Sequence, residues 1–320
     1  MKNISLVLIA FLIFSPACTQ KAGEEDVLPE STSTLPEVPQ GAQAVSLRGT
    51  PLFASTPSAN VQEQYEEAKK IYETDPEKAE SIIWYGRRAA YTGDYREAIR
   101  IFSEGISKFP DDARFYRHRG HRYISIREFD RAIEDFTKAA ALIEGKEDVI
   151  EPDGQPNAQN IPVSSLHTNI WYHFGLAYYL KHDFTSALPV YRKGVAACNN
   201  DDMLVAFTHW LYMTLRLMGQ EEEAKKALDP IRKDMTLIEN DVYHRLCLFY
   251  KGEIPYEELV GKDEAGMTRD AMAYGLGNWY FYNGQRDKAR EVFETILEGE
   301  VWASFGYIAA EAALVKNFPE

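Results

Sequence analysis

A pattern of small and aromatic residues recurs along this chain and constrains its fold more than any other feature. Gly86 is followed by Ala98 after 12 residues and by Phe102 after 16 residues. The same two offsets place an alanine and an aromatic residue after three further glycines, Gly120, Gly175 and Gly277. A weaker copy has Tyr212 in place of the glycine. Repetition of this kind indicates an array of similar units, each of which buries its apolar face against its neighbours.

Each unit has the pattern of two helices joined by a tight turn. In the first unit, Tyr85 and Ala89 share one helical face. Gly93 can adopt the left-handed conformation that ends a helix. We expect Gly86 to lie where the two helix backbones approach closely, with the ring of Phe102 beside it, because protein interiors are densely packed.

A helix pair with this glycine, a turn glycine, an alanine, an aromatic residue and a closing proline resembles the tetratricopeptide repeat. Gly120 lies 34 residues after Gly86, Pro110 closes the first unit, and Arg127 and His182 replace the turn glycine in two units. The resemblance implies an all-α fold, a right-handed superhelical solenoid of tetratricopeptide-type helix hairpins over residues 60–320. The copies are Ala79–Pro110, Ala113–Glu144, Thr168–Asn199, Val205–Asp234 and Asp270–Glu300, with a shortened unit at 239–260.

One insertion interrupts the register of the units. Gly175 follows Gly120 by 55 residues rather than 34, and the extra length falls at about residues 145–165. Pro152 and Gly154 within it favour extended and turned backbone. Two interpretations stay open, a tolerated surface loop and a flap that contributes to a partner-binding surface.

The N-terminus has the pattern of an export signal. Lys2 precedes an apolar run over residues 4–14 that is too short to span a bilayer. This apolar run, followed by Ala17 and Cys18, resembles a bacterial lipoprotein signal. The resemblance implies a signal peptide over residues 1–17 and lipidation of Cys18. It also implies an outer-membrane lipoprotein facing the periplasm or exterior. The alternative is an ordinary cleaved signal and a secreted protein. Residues 18–59 are rich in Ser, Thr, Pro and Gly, which predicts a flexible tether.

Charge and motif content narrow the classes of function. The 49 acidic and 35 basic residues give a net charge of −14, which disfavours nucleic acid as a partner and leaves the lipid as the expected membrane contact. Neither a phosphate-binding loop nor a nucleophile motif is present in the sequence, and the histidines do not have the spacing of metal ligands. The sequence therefore predicts no catalytic residues, no metal and no cofactor.

The resemblance implies that the first helix of each unit lines a concave wall. Positions on that wall that the core does not use predict a partner-binding groove lined by Arg87, Tyr91, Arg114, Arg117, His121, Asn169, Tyr172, Tyr179, His209, Tyr274, Asn278 and Phe281. The arginines suit an acidic or carboxylate end of a bound peptide, and the aromatic residues suit apolar side chains. The alternatives are that the arginines pair with neighbouring carboxylates and that the tyrosines pack between units.

These patterns predict a non-enzymatic, envelope-anchored adaptor that binds a protein or peptide in the groove. The alternative is an outer-membrane receptor for a glycan or another small ligand, because rows of aromatic rings form platforms for sugars. Such a receptor needs exposed rings with polar groups between them, for which Tyr274, Asn278 and Phe281 are the candidates.

Overall fold

The computed structural model describes residues 35–260 and 266–319, and within them the chain is almost entirely helical. The predicted signal peptide and Cys18 lie outside the described residues. Residues 37–260 and 266–319 belong to one compact unit. In the described part of the chain, no helix has both the length and the apolar character needed to cross a bilayer.

Two short strands precede a run of helices. The strands, β1 (Ala42–Val45) and β2 (Pro51–Phe53), pair antiparallel. The helices are α1 (Ala59–Thr74), α2 (Ala79–Tyr91), α3 (Tyr95–Lys108), α4 (Ala113–Ser125), α5 (Phe129–Ile143), α6 (Leu166–Leu180), α7 (Phe184–Ala197), α8 (Asp201–Leu217), α9 (Glu221–Ala227), α10 (Asp241–Lys251), α11 (Tyr256–Val260), α12 (Gly266–Tyr282), α13 (Arg286–Leu297) and α14 (Phe305–Asn317).

Helices α2 to α13 form six successive hairpins, which we number repeats 1 to 6, with α1 before them and α14 after them. The turn inside every hairpin contains a residue with positive φ. These residues are Gly93 (86°), Arg127 (68°), His182 (61°), Gly219 (71°), Gly252 (76°) and Gly284 (79°). The left-handed conformation is therefore kept in repeats 2 and 3, where the sequence has no glycine, at a cost of about 1 kcal/mol for each such residue.

The predicted close approach of paired helices is confirmed. A Cβ atom on Gly86 would lie 2.5 Å from the ring of Phe102 on the partner helix. The equivalent distances are 3.0 Å for Gly120 and Phe136, 2.5 Å for Gly175 and Tyr191, and 2.7 Å for Gly277 and Phe293. The aromatic residue 16 positions after each glycine thus occupies the space that a side chain would need.

The residues just before α1 correct the sequence prediction of a flexible tether over 18–59. Residues 42–53 form the β-hairpin instead, with Ala44 and Leu52 buried. The side-chain oxygen of Gln43 accepts a hydrogen bond from the backbone N–H of Arg96 at 3.1 Å. Trp302 donates its indole N–H to the Phe53 carbonyl at 2.7 Å. These contacts offset the conformational entropy that the segment loses on folding. Its composition alone suggested that the segment would be too polar for that.

Helix α14 covers part of the inner face of the repeats. Phe305, its first residue, contacts rings from repeats 2 and 3, with centroid distances of 5.3 Å to His121, 5.5 Å to His173 and 6.2 Å to Tyr172. An aromatic side chain from the end of the chain therefore fills space that an open solenoid would leave to a ligand.

Candidate partner-binding site

The insertion between repeats 2 and 3 packs against the first helices of the solenoid. Arg87 donates a hydrogen bond to the Pro152 carbonyl at 2.9 Å, and Arg88 donates one to the Gly154 carbonyl at 2.8 Å. A Cβ atom on Gly154 would lie only 1.8 Å from the hydroxyl oxygen of Tyr91. The insertion is thus held on α2 by these contacts.

Glu151 brings a carboxylate from the insertion to the predicted basic wall. Its oxygen Oε2 lies 3.0 Å from Arg117 Nη2 and accepts a hydrogen bond of 2.5 Å from the Asn169 amide. His118 Nε2 lies 3.9 Å from the other carboxylate oxygen. The acidic group that the sequence analysis assigned to a partner is supplied at Arg117 by the chain itself, and the side chains of this pair are only 11% and 10% exposed.

Local sequence fixes the two ends of the insertion. Ser165 is the N-cap of α6 and forms a capping box with Thr168. Asp148 accepts hydrogen bonds from the Ser165 hydroxyl at 2.5 Å and the His167 backbone N–H at 3.0 Å. The Glu151 N–H also donates to the Ser164 carbonyl at 3.0 Å. The start of the insertion is therefore joined to its end, which determines where Glu151 lies.

Arg114 is held by neighbouring carboxylates. It lies 2.9 Å from Glu80 of repeat 1 and 2.7 Å from Asp112, the N-cap of its own helix. Hydrogen bonding to Asp112 raises the pKa of Arg114 despite its partial burial. Arg114 is therefore paired with acids of its own chain, which is the alternative stated above for the arginines of the wall.

A groove of about 740 Å³ lies between α2, α4, the end of α5 and the insertion, and we call it the insertion groove. Its charged lining residues are Arg87, Arg114, Lys146, Glu80, Asp111, Asp112, Glu147 and Glu151. Its apolar lining includes Ile83, Phe109, Leu142, Ile143, Val149 and Ile150. Val149 is 63% exposed and Ile150 is 45% exposed. Sequence reasoning missed these two residues, although adjacent branched aliphatic residues in a polar, proline-rich insertion were a usable signal.

The predicted aromatic wall in the C-terminal half is not an open surface. The predicted residues Asn169, Tyr172, Tyr179, His209, Tyr274 and Asn278 are all buried, none of them more than 8% exposed. The hydroxyl oxygens of Tyr179 and Tyr274 are 2.8 Å apart, and the Asn278 amide donates to Tyr179 at 2.9 Å. Trp210 donates its indole N–H to Tyr172 at 2.7 Å. The expectation that these residues face an open groove is wrong, because the first helices of repeats 3, 4 and 6 are close enough for these side chains to bond across the inner face.

Phe281 is half-buried and points toward the end of the chain. Its ring lies 5.8 Å from that of Phe318, and the guanidinium of Arg286 lies 5.0 Å from its centre. Because Tyr274 and Asn278 are buried, the three residues do not form the exposed row that a glycan platform requires.

Two histidines on the inner face, His121 and His173, are neutral at pH 7. The rings of His121 and His173 are 4.2 Å apart. Burial, together with the charges of Arg122 and Arg117, lowers the pKa of His121 well below its ordinary value, and burial lowers the pKa of His173 to about 3. Within residues 35–260 and 266–319, no group of three or more His, Cys, Asp or Glu side chains is arranged to hold a metal ion.

Comparison with known proteins identifies the repeats. Two models of the family "Tetratricopeptide repeat" match residues 86–146 and 270–298. The first match covers repeat 2 and most of repeat 1, and the second covers repeat 6. The fold is therefore an all-α solenoid of tetratricopeptide-type hairpins, as the sequence predicts.

Two curated relatives match parts of the chain. Small glutamine-rich tetratricopeptide repeat-containing protein 2 of Saccharomyces cerevisiae is 31% identical over 90 residues, 27% of this chain and 26% of the yeast protein. Tetratricopeptide repeat protein 12 of Mus musculus is 24% identical over 173 residues, 53% of this chain and 21% of the mouse protein. The matches span about a quarter or less of the length of these relatives.

Solved structures of similar proteins include YrrB, described as a TPR protein with an unusual peptide-binding site. It is 16% identical with a TM-score of 0.41, and the match covers 78% of this chain and 98% of that one. The APC/C hetero-tetramer Cut9-Hcn1 is 14% identical with a TM-score of 0.46, and the match covers 81% of this chain and 44% of that one.

Proposed function

We propose that this protein is a non-enzymatic adaptor, anchored in the cell envelope, that binds a segment of a partner protein in the insertion groove. Tetratricopeptide-fold proteins generally mediate protein–protein interactions. The same fold class supports a binding role rather than a catalytic one for this chain.

The observation that carries the proposal is the apolar lining of the insertion groove beside two exposed aliphatic side chains. Val149 and Ile150 are apolar residues in an otherwise polar insertion, and they line the same groove as Ile83 and Leu142. Contiguous exposed apolar surface next to charged groups is typical of protein-binding sites. A partner segment with apolar side chains would remove this surface from water.

Arg87 gives the groove a position for an acidic side chain or a terminal carboxylate. Its guanidinium lies on the Trp84 ring, 4.4 Å from the ring centre, and donates a hydrogen bond to the Pro152 carbonyl. Among the described residues, no carboxylate lies within 4 Å of it. A charged partner group would therefore gain a charge-assisted hydrogen bond without breaking an existing ion pair.

The envelope location is supported by the lipoprotein-like N-terminus. Lipidation of Cys18 would attach the protein to a membrane, and Thr19 after the cysteine favours transport to the outer membrane. Labelling with a fatty acid and membrane fractionation test this part of the proposal. Cys18→Ala should abolish the label and release the protein from the membrane fraction, whereas Cys198→Ala should change neither.

Photo-crosslinking in cells tests the groove. A photoreactive residue in place of Val149 should capture one partner protein, which is then identified by mass spectrometry and purified. Val149→Ser with Ile150→Ser should weaken binding of that partner at least about tenfold, the equivalent of about 1.4 kcal/mol of lost apolar burial.

Ile161→Ser is the matched control, because Ile161 is 47% exposed on the same insertion but is not part of the groove lining. Arg87→Glu should weaken binding further if the partner presents an acidic group there. Unchanged binding after the Val149 and Ile150 substitutions, or an equal loss after Ile161→Ser, would contradict the proposed site.

A further inference from the structure

A second cavity lies on the inner wall of repeats 1 to 3, and we call it the arginine cavity. Its volume is about 240 Å³, and side chains of α2, α3, α4 and α6 line it. Three of them are arginines, Arg87, Arg117 and Arg122. It shares Arg87 and His118 with the insertion groove and is otherwise lined by different residues.

Arg122 is the most unusual of the three arginines. Its guanidinium lies 5.5 Å from the centre of the Tyr95 ring. Among the described residues, it has neither a hydrogen-bond acceptor nor a carboxylate within ion-pair distance. Burial and the charges of Arg117 and Arg87 lower its pKa to about 10. The side chain of Arg122 is only partly buried and lines the cavity, so its guanidinium can be reached by a ligand.

Arg117 is also incompletely satisfied. Glu151 and His118 accept from its terminal nitrogens, but its Nε is buried without a hydrogen-bond partner. Since Arg117 donates to His118 Nδ1, the neutral imidazole carries its proton on Nε2, facing Glu151. The donor groups around the cavity thus exceed the acceptors that the described residues provide.

The charges around the arginine cavity do not balance. His118, His121 and His173 are neutral at pH 7, because burial and the neighbouring arginines lower their pKa values. Three guanidinium groups therefore face one paired carboxylate, that of Glu151. Asp153 approaches Arg87 from the insertion but does not line the cavity. This local excess of positive charge lies in a chain whose net charge is −14.

We propose that the arginine cavity binds a small oxyanion of at least two negative charges, of the size of inorganic phosphate or a short dicarboxylate. The ligand oxygens accept hydrogen bonds from Arg122, and Arg87 and Arg117 add two further positive charges. A volume of 240 Å³ is on the order of eight water molecules, which is enough for such an anion with some of its hydration. The site shares Arg87 and His118 with the insertion groove, but its test with small anions does not depend on the proposed partner.

Glu151 provides a direct test, because its carboxylate competes with a ligand anion for Arg117. Replacing it by glutamine keeps the shape and removes the negative charge. Glu151→Gln should therefore bind the anion about tenfold more tightly, since a nearby repulsive charge is lost. A residue with a merely structural role would not improve binding when substituted.

The measurement is calorimetric titration of the purified full chain with sodium phosphate and, separately, with sodium succinate. Sodium chloride at matched ionic strength corrects for screening. We expect saturable binding of at least one of the two anions and an increase in the thermal unfolding temperature that chloride does not produce. The anion that binds identifies the ligand class as phosphate or dicarboxylate.

Arg122→Met keeps the aliphatic stem and should weaken binding at least about tenfold by removing the unpaired charge. Arg100→Met, on the exposed side of α3, is the matched control and should bind as the unaltered protein does. Absence of binding by both anions overturns the proposal, and so does binding that is unchanged in Arg122→Met. If Arg122→Met does not fold, weaker or unchanged binding by Glu151→Gln overturns it.

Discussion

Arg127 and Glu311 form an ion pair of 2.6 Å although they are 184 positions apart in the chain. The side chain of Arg127 is 3% exposed and that of Glu311 is 1% exposed. Arg127 also donates to the Trp302 carbonyl at 2.9 Å, and the other oxygen of Glu311 accepts from the Leu47 backbone N–H. One carboxylate thus joins the turn of repeat 2, the last helix and the N-terminal hairpin.

Breaking this pair from one side should strongly destabilise the fold. Glu311→Leu leaves the Arg127 guanidinium buried without its carboxylate, and we expect a loss of about 3–5 kcal/mol in the free energy of unfolding. Urea denaturation measures it. Arg127→Met combined with Glu311→Leu should recover most of that loss, because neither charge is then buried. Lys225→Met is the control, because Lys225 pairs with an exposed carboxylate, and it should lower the free energy of unfolding by less than about 1 kcal/mol. A loss for Glu311→Leu as small as that for Lys225→Met would contradict a stabilising role of the buried pair.

The contact between Gly86 and Phe102 should not tolerate a methyl group. Gly86→Ala places a Cβ atom 2.5 Å from the Phe102 ring, and we expect a loss of about 1–3 kcal/mol from overpacking. Phe102→Leu alone leaves a void and is also destabilising. The double variant should be more stable than the sum of the two single losses predicts, which a double-mutant cycle measures. Strict additivity would show that the two side chains do not compete for the same space.

Two buried tyrosines in the C-terminal half should respond differently to loss of their hydroxyl groups. Tyr179→Phe removes the partner of both Tyr274 and Asn278, and we expect a loss of about 1–3 kcal/mol. Tyr191→Phe is the matched control, because its hydroxyl oxygen is buried without a hydrogen-bond partner. Its removal should leave the free energy of unfolding unchanged or higher. Chemical denaturation of both variants measures this, and equal effects would contradict the hydrogen-bond network.

Acid should destabilise this protein through its buried histidines. Burial lowers the pKa of His173 and of His209 to about 3 in the folded state, whereas an unfolded histidine has a pKa of about 6.5. Below pH 6.5 the unfolded state therefore binds more protons, and the stability present above pH 6.5 is lost as the pH falls. Each histidine that stays neutral contributes a slope of about 1.4 kcal/mol per pH unit. Asp135 acts in the opposite sense, because burial raises its pKa to about 6.

Urea denaturation at pH 7.5, 6.5 and 5.5 measures this dependence. His209→Gln should reduce the slope between pH 6.5 and 5.5, because glutamine does not titrate. An unchanged slope in His209→Gln would show that this imidazole takes up a proton in the folded state.

The local features of the fold could be predicted from the sequence. Gly86 and Phe102 meet because both lie on helix faces whose direction follows from a period of 3.6 residues. The hairpin turns could also be located, even where Arg127 and His182 replace glycine. At Arg117 the alternative applies, in which a wall arginine pairs with an acid of the same chain. The sequence pattern did not indicate that Glu151 of the same chain provides that carboxylate.

Residues within a single unit specify the repeating hairpins and the helix faces that point inward, so both could be inferred from the pattern alone. Whether the inward faces are open depends instead on packing between distant units. The positions of Phe305 and Glu311 against repeats 2 and 3 depend on small rotations accumulated over the whole array, which no local period specifies. For the same physical reason Tyr179 and Tyr274 bond to each other rather than to a ligand.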